Sequence, residues 1–218
     1  MSIFLGALIN DEHTLRDWGA AITNSDIISV PEPNLTYLEV PGRNGRLDLS
    51  EALTGDVTYA NRTIKLALAG NVSVASWVER CKHIFNSYHG RMVKVIFDDD
   101  PSHYYQGRAS VSDPQRVRNG GQFSLIVDAD PFRYDVELTT VAFTGTNSSV
   151  TGTLVNSRMP VCPAITVSAT CELVVGSVTY SLLAGTRTVP AFILMEGSTE
   201  FTVNGANKVT FSYRQGVL

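Results

Sequence analysis

The residues Thr63-Ile64-Lys65-Leu66-Ala67-Leu68 decide the fold class, because every second side chain is large and apolar. Successive side chains of a β-strand point to opposite faces of its sheet, so this alternation predicts a strand with one buried face. The same period recurs around Val95, Leu125 and Phe211, and over the longer run Ile165–Val175, which we interpret as one strand. The chain is therefore expected to be mainly β, with mostly antiparallel strands.

Turn-forming residues separate the alternating runs. Gly176-Ser177 and Asn204-Gly205 lie between such runs, and Asn119-Gly120-Gly121 precedes the run around Phe123. Glycine and asparagine tolerate the positive φ angles of tight turns, so these pairs predict β-hairpins. The opening apolar run Ile3–Ile9 has no preceding Lys or Arg and is followed by two acidic residues. It is expected to be a first strand and not a signal peptide.

One segment has a helical period. Ser73 can cap its amino end and Gly90 its carboxyl end. From Val74 onward, apolar residues recur with the spacing of one helix face, at Trp77, Val78, Cys81, Ile84, Phe85 and Tyr88. This pattern predicts an amphipathic helix over about residues 73–89, with one side packed on a sheet.

The composition restricts the possible functions. Only 17% of the 218 residues are charged, so much of the surface is expected to be neutral or covered by partners. The net charge of −4 argues against a protein that binds nucleic acid through phosphate contacts. No apolar stretch reaches the length of a transmembrane helix, so no membrane insertion is expected. Three cysteines fit synthesis in a reducing cytoplasm without a disulfide framework.

The density of charged residues falls after Glu137, and Ser, Thr, Val and Gly predominate there. Both tryptophans lie before this point. A shift of this kind predicts a domain boundary. We expect a first domain over residues 1–134 and a second over residues 135–218, joined directly after Asp130-Pro131-Phe132.

No catalytic signature is found, since the GxSxG, HExxH, Walker A and CxxC patterns are all missing from the sequence. Asp98-Asp99-Asp100-Pro101 could bind a hard cation, but it lacks the Gly and the terminal Glu of a calcium loop and is more typical of a turn. Asp128 and Asp130 lack the aromatic platforms of a glycosidase cleft and are interpreted as a strand end. We expect no enzyme, no cofactor and no metal; a hydrolase that uses either acidic group is the weaker alternative.

Three further groups have a structural interpretation. His83 falls outside the apolar stripe of the predicted helix and is expected to face solvent. Arg116-Val117-Arg118, close to Arg108, has no interleaved aromatic residues and is interpreted as a solvated hairpin edge. Cys171 falls in the buried phase of its strand, which favours a role as a small core residue.

The most specific stretch is Val40-Pro41-Gly42-Arg43-Asn44-Gly45-Arg46-Leu47-Asp48-Leu49, followed by Glu51-Ala52-Leu53-Thr54-Gly55. Its Pro-Gly and Asn-Gly pairs predict a tight turn, after which Leu47 and Leu49 return on one face. A hairpin with two arginines near its tip can project from a sheet and meet a neighbour; the alternative is an exposed loop with no special role. The candidate assembly residues are Pro41, Gly42, Arg43, Asn44, Gly45, Arg46, Leu47 and Asp48.

This hairpin, the EALTG run of residues 51–55 and the following Tyr59 resemble the amino-terminal domain of the distal tail protein (Dit) family of long, flexible-tailed phages. The resemblance continues through the strand–helix–strand order around Trp77 and Phe97. It also includes the exit Asp128-Ala129-Asp130-Pro131-Phe132-Arg133-Tyr134 and the closing stretch Val209–Gly216. It covers most of residues 1–134 and, more weakly, the rest of the chain.

The resemblance implies an amino-terminal β-sandwich belt domain with one flanking helix, followed by a small galectin-like β-sandwich domain. It also implies a hexameric ring at the tail tip of the virion. Such a ring joins the tail tube protein to the tail-tip hub protein and to receptor-binding proteins, and DNA passes through its lumen only as cargo. An acidic chain suits that passage because it repels phosphates. A ring of one chain type also needs a heterologous interface.

Two other interpretations of the sequence remain. A tail tube subunit would share the sandwich-plus-helix architecture, although a second domain argues against it. A carbohydrate-binding module would need an exposed aromatic platform. The aromatic residues of the second half mostly fall in the phase that we assign to the core; they are Tyr180, Phe192, Phe201, Phe211 and Tyr213.

Overall fold

The computed structural model describes residues 6–24, 27–52, 54–70, 74–117, 120–146 and 148–218. The chain divides into two compact units, Met1–Arg133 and Tyr134–Leu218, called here the first and second units. The described residues are mainly β with one helix, as the sequence predicts. In the described ranges, no helix has the length and apolar character needed to cross a bilayer. The predicted helix cap Ser73, the residues Ile3–Leu5, and Arg118 and Asn119 of the predicted hairpin lie outside these ranges.

The first unit consists of antiparallel strands and one helix, α1 (Val74–Tyr88). Seven strands form a single curled sheet in the order β2-β1-β7-β8-β10-β6-β3, β9 pairs with β10, and β4 and β5 pair only with each other among the described strands. The strands are β1 (Ala7–Ile9), β2 (Glu12–His13), β3 (Ala21–Ile22), β4 (Tyr37–Glu39), β5 (Arg46–Asp48), β6 (Arg62–Gly70), β7 (Met92–Phe97), β8 (Asp100–Val111), β9 (Gln115–Val117) and β10 (Gly120–Ala129).

The alternating run in β6 has the buried face that its sequence predicts. Its three large apolar residues are at most 1% exposed, and each lies opposite a buried residue of β10: Ile64 opposite Val127, Leu66 opposite Leu125, and Leu68 opposite Phe123. Burial of each such side chain contributes about 1.5–3 kcal/mol. These cross-strand pairs form the centre of the first unit's core.

Helix α1 covers one face of this core. Trp77, Ile84 and Tyr88 are buried against the sheet, as the helical period predicts, and the helix contacts β8 and β10. Gly90 follows the helix with a φ of 75°, a left-handed conformation that glycine adopts without steric cost, so it ends the helix as predicted. Part of the apolar stripe, including Cys81 and Phe85, is only partly buried.

The second unit is a β-sandwich. Its two four-stranded antiparallel sheets have the orders β12-β19-β14-β17 and β13-β18-β15-β16, and the rings of Phe201 and Phe211, one from each sheet, lie 4.7 Å apart in the core. From the boundary onward the strands are β11 (Arg133–Asp135), β12 (Thr139–Thr144), β13 (Ser149–Asn156), β14 (Ala164–Val167), β15 (Cys171–Val175), β16 (Val178–Leu182), β17 (Gly185–Thr188), β18 (Gly197–Asn204), β19 (Lys208–Tyr213) and β20 (Gly216–Val217).

The interpretation of Ile165–Val175 as one strand is wrong. The run forms β14 and β15, which belong to different sheets, and the chain crosses between the sheets through residues 168–170, where Ala169 is exposed. Both strands bury alternate side chains in the same core, so the alternation continues across a corner that breaks the hydrogen-bond ladder.

The predicted hairpin at Asn204-Gly205 is also wrong, whereas the one at Gly176-Ser177 is confirmed by the pairing of β15 with β16. Gly205 instead connects β18 of one sheet to β19 of the other, with a φ of 102°. A Cβ at Gly205 would lie 3.0 Å from the carbonyl oxygen of Thr170, so the two crossing segments pack against each other. Glycine is therefore required for close approach as well as for its φ angle.

Candidate assembly surface

The predicted assembly residues lie at the end of a projecting arm, defined as residues 32–57, of which Leu53 is not described. Strands β4 and β5 pair antiparallel, with Tyr37 opposite Asp48 and Glu39 opposite Arg46. The turn between them contains Gly42 and Gly45 with φ angles of 81° and 78°. Both angles lie in the region that glycine adopts without steric cost, which explains the Pro-Gly and Asn-Gly pairs of this sequence.

The base of the arm is tied to the first unit by backbone and ring contacts. The amide of Asn34 donates to the carbonyl of Thr58, and that of Ala60 donates to Glu32, both at 2.8 Å. The ring of Tyr59 meets that of Phe132 edge-on, with centroids 6.0 Å apart. The arm therefore has a fixed root, while residues 32–46 are all exposed.

The two faces of the arm differ in chemistry. The polar face carries Tyr37, Glu39, Arg46 and Asp48; the Arg46 guanidinium lies 4.6 Å from the centre of the Tyr37 ring. Asp48 accepts hydrogen bonds from the amide of Ser50 at 2.9 Å and from its hydroxyl at 2.6 Å. These bonds lower the pKa of Asp48. The partners of Arg46 and Asp48 are thus Tyr37 and Ser50, and not each other.

The opposite, apolar face is only partly covered in the described part of the chain. Leu38 lies opposite Leu47 on this face, with Val40 next along β4, and Leu38 and Val40 are 49% and 38% exposed. An isolated two-stranded hairpin is marginally stable in water and normally packs its apolar face on another surface. The arm therefore has an exposed apolar face of the kind that normally packs on another surface.

The acidic cluster 98–100 lies at a hairpin turn, which confirms the turn interpretation for Asp98 and Asp99, whereas Asp100 already belongs to β8. Asp98 and Asp99 are the turn residues between β7 and β8. Asp98 lies 2.9 Å from Nε2 of His13, whose Nδ1 accepts the backbone amides of Leu15 and Arg16. Because Nδ1 accepts, Nε2 carries the proton and donates it to Asp98, so this pair fastens the turn to the neighbouring strand.

Asp100 belongs to a second polar cluster with Ser102, His103 and Arg133. The Ser102 hydroxyl and the Asp100 carboxylate lie 3.0 and 2.7 Å from the same His103 nitrogen, Nδ1. A catalytic triad needs serine and aspartate on opposite ring nitrogens, so this arrangement cannot act as one. Burial raises the pKa of Asp100, but hydrogen bonds from His103 and Ser102 and the charge of Arg133 bring it below the ordinary value.

The remaining candidates lie apart from the arm. Asp128 is the second-to-last residue of β10 and Asp130 follows its end, on either side of the buried Ala129, which is consistent with a strand end. His83 faces solvent as predicted, with its Nε2 hydrogen-bonded to Glu12 at 2.8 Å. Cys171 is buried in the second unit's core, as predicted. Within the described ranges, no three His, Cys, Asp or Glu side chains are grouped to hold a metal ion.

The aromatic residues of the second unit lie mostly in its core. Phe192, Phe201, Phe211 and Tyr213 are at most 4% exposed, which confirms their predicted phase. Tyr180 is half-buried, and its hydroxyl donates to the carbonyl of Ala191 at 3.1 Å. These five side chains do not form the exposed platform that sugar stacking requires.

Sequence reasoning missed that the apolar face of the arm is uncovered. The alternation of Leu38 and Val40, followed by that of Leu47 and Leu49, is the usual signal of a buried face. A pattern of this kind cannot distinguish burial within the chain from burial against a partner. The only signal in the sequence was the tight, glycine-rich turn between short strands.

Comparison with known proteins relates the chain to a known fold. No family model matches the chain, and no curated protein is significantly similar to it. Among solved structures, the chain is similar to the SPP1 Dit (gp 19.1) protein, described as a paradigm of the hub adsorption apparatus in phages that infect Gram-positive bacteria. The TM-score is 0.66 at 13% identity, over 96% of this chain and 98% of that one. The Dit-like fold expected from the hairpin motif is thereby supported.

Proposed function

We propose that this chain is a structural protein of a phage tail tip. In this proposal it forms a hexameric ring that joins the tail tube protein to the tail-tip hub protein and receptor-binding proteins, and DNA passes through the ring during ejection. The observation that carries the proposal is the fold similarity to SPP1 Dit along nearly the whole length of both chains. The protein is made in the host cytoplasm and acts in the virion.

The arm supports an assembly role on physical grounds. It presents apolar side chains on one face and Arg43 near its tip, and it is rooted firmly enough to hold them in place. A structure that needed only to reverse the chain direction would not require an exposed apolar face of this kind. Residues 41–48 are accordingly proposed as contacts to a neighbouring subunit or an adjoining tail protein.

In this proposal the two units have different roles. We assign ring formation to residues 1–134, which carry the arm and helix α1, and regard residues 135–218 as a small sandwich added to the ring. The net charge of −4 favours a lumen that does not retain DNA, because like charges repel.

The mass of the purified full-length protein tests this proposal. Six chains of 23.7 kDa give about 142 kDa, which sedimentation equilibrium distinguishes from smaller assemblies. A single species of that mass is expected at micromolar concentration. A species that stays at 23.7 kDa across the accessible concentrations would contradict the proposal.

A further inference from the structure

Helix α1 borders an open cleft of about 500 Å³ in the first unit. Its floor is apolar, because the half-buried side of the helix faces residues near the start of β9 and nothing in the described chain covers it. The lining side chains that matter here are Trp77, Val78, Cys81, Phe85, Pro114 and Arg116.

The rim of this cleft is basic. Arg116 contributes the positive charge of this rim, since Lys82 forms an ion pair with Glu79 at 2.9 Å, and none of the described lining residues is acidic. Residues 32–57 of the arm contain five acidic side chains and two arginines, so the arm is acidic overall. The arm and the cleft therefore have complementary charge as well as complementary apolar surfaces.

The shapes are complementary too. The arm is convex, with an apolar ridge formed by Leu38, Val40 and Leu47, and the cleft is concave. At about 3.3 Å per residue, the nine steps from Pro33 to Gly42 span at most about 30 Å from the root of the arm. Because both surfaces are open in the structure, they do not cover each other within one chain.

We infer that the apolar face of the arm of one copy docks into the α1 cleft of the next copy. The inference rests on the proposed ring and specifies its contact: a heterologous interface in which every chain supplies one arm and one cleft. The occupant of the cleft is thus a second copy of this chain. The arm then gains the cover that a two-stranded hairpin lacks.

A disulfide scan tests the contact directly, because Cys81 already lies in the cleft. Leu38, Val40 and Leu47 are replaced by cysteine one at a time in the full-length protein, which is then oxidised under mild conditions. Disulfides form only where two Cα atoms come within about 7 Å. At least one of the three variants should give a ladder of covalent oligomers on non-reducing gels, ending at six chains.

Two controls make the scan specific. Tyr37→Cys places a thiol of similar exposure, 44%, on the opposite face of the arm and should not give the ladder. Replacing Cys81 by serine in each productive variant should abolish it. If the protein assembles at about 142 kDa but no ladder appears, the ring stands and the arm–cleft contact is wrong. If the protein stays monomeric, the inference and the proposed ring both fail.

A charge reversal gives an independent measurement. Arg116→Glu, at an exposed rim position, should raise the concentration for half-assembly about tenfold, because it places an acid against an acidic arm. Arg91→Glu makes the same change in net charge at an exposed position outside the cleft and should have no such effect. Equal weakening by the two variants would mean that overall charge, and not the cleft, controls assembly, and the inference would be overturned.

Discussion

Gly121 and Gly70 lie opposite each other on β10 and β6, and the indole of Trp77 fills the space above them. A Cβ at Gly121 would lie 2.1 Å from Cε2 of Trp77, so the ring would have to move. We expect Gly121→Ala to lower the free energy of unfolding by about 1–3 kcal/mol, as overpacking does in well-packed cores.

Urea denaturation of the full-length protein measures this cost, with Gln122→Ala as the matched control. Gln122 is the next residue of β10, exposed on the other face, so its substitution should change the stability by less than about 0.5 kcal/mol. Equal effects of the two substitutions would contradict the account of the Trp77 contact.

Glu12 connects β2 to helix α1 through its carboxylate. Burial raises its pKa, but hydrogen bonds from Trp18, His83 and Tyr88 lower it, and the net pKa lies below 4.5. A lowered folded-state pKa means that the carboxylate stabilises the fold above pH 4.5, and that this contribution is lost as the pH falls through the lowered value.

Glu12→Gln should therefore destabilise the protein by about 1 kcal/mol at neutral pH and by less at about pH 3. Urea denaturation at the two pH values measures the difference, with the exposed Glu51→Gln as control. An effect of Glu12→Gln that did not shrink in acid would show that the carboxylate charge is not what stabilises this contact.

The contribution of the arm to assembly can be measured separately from its contribution to folding. Arg43 is exposed at its turn, so Arg43→Ala should leave the melting temperature of the monomer, measured at concentrations below assembly, nearly unchanged, since exposed charges contribute about 0–1 kcal/mol. The same variant should weaken assembly by about 2–5 kcal/mol if the guanidinium is buried against a carboxylate in the ring.

Sedimentation over a range of concentrations measures this loss, and Arg91→Ala, an exposed arginine away from the arm, is the control. Should Arg43→Ala protein assemble as tightly as the parent chain, Arg43 is not an interface residue and residues 41–45 form only a turn.

Helix α1 and strand β6 could be predicted from the sequence because their patterns are local. The period of Trp77, Ile84 and Tyr88 permits only one buried helix face, and the residues 63–68 permit only one buried strand face. The run Ile165–Val175 could not be divided in advance, because two sheets that share one core impose the same alternation on either side of a corner. Hydrogen-bond partners are distant in sequence, so periodicity does not reveal a change of sheet.

The candidate assembly surface could also be predicted only in part. Pro41, Gly42 and Gly45 indicate a tight turn, and the structure has it with positive φ at both glycines. The apolar residue Leu38 predicts a buried face, and only the three-dimensional structure reveals that Leu38 remains 49% exposed among the described residues. The α1 cleft combines residues about 40 positions apart, which no local pattern connects.

The whole chain should behave as two folding units. Residues 136–138 carry no regular secondary structure, and Val136 and Leu138 are 39% and 50% exposed. A protease needs exposed, irregular backbone, so limited digestion should give a stable amino-terminal fragment that ends near Glu137. Mass spectrometry of the fragments identifies the cut. If this segment stays protected while the interior of β13 or β18 is cut first, the division into units does not describe the stability of the protein.

The central claim is that this chain closes into a six-subunit ring at a phage tail tip. Negative-stain electron microscopy of the purified full-length protein tests it most directly. Isolated particles with sixfold symmetry and a central hole wide enough for a DNA duplex are expected. Monomeric particles, open filaments, or rings stacked into long tubes would contradict it, the last because such tubes are the product expected of a tail tube subunit.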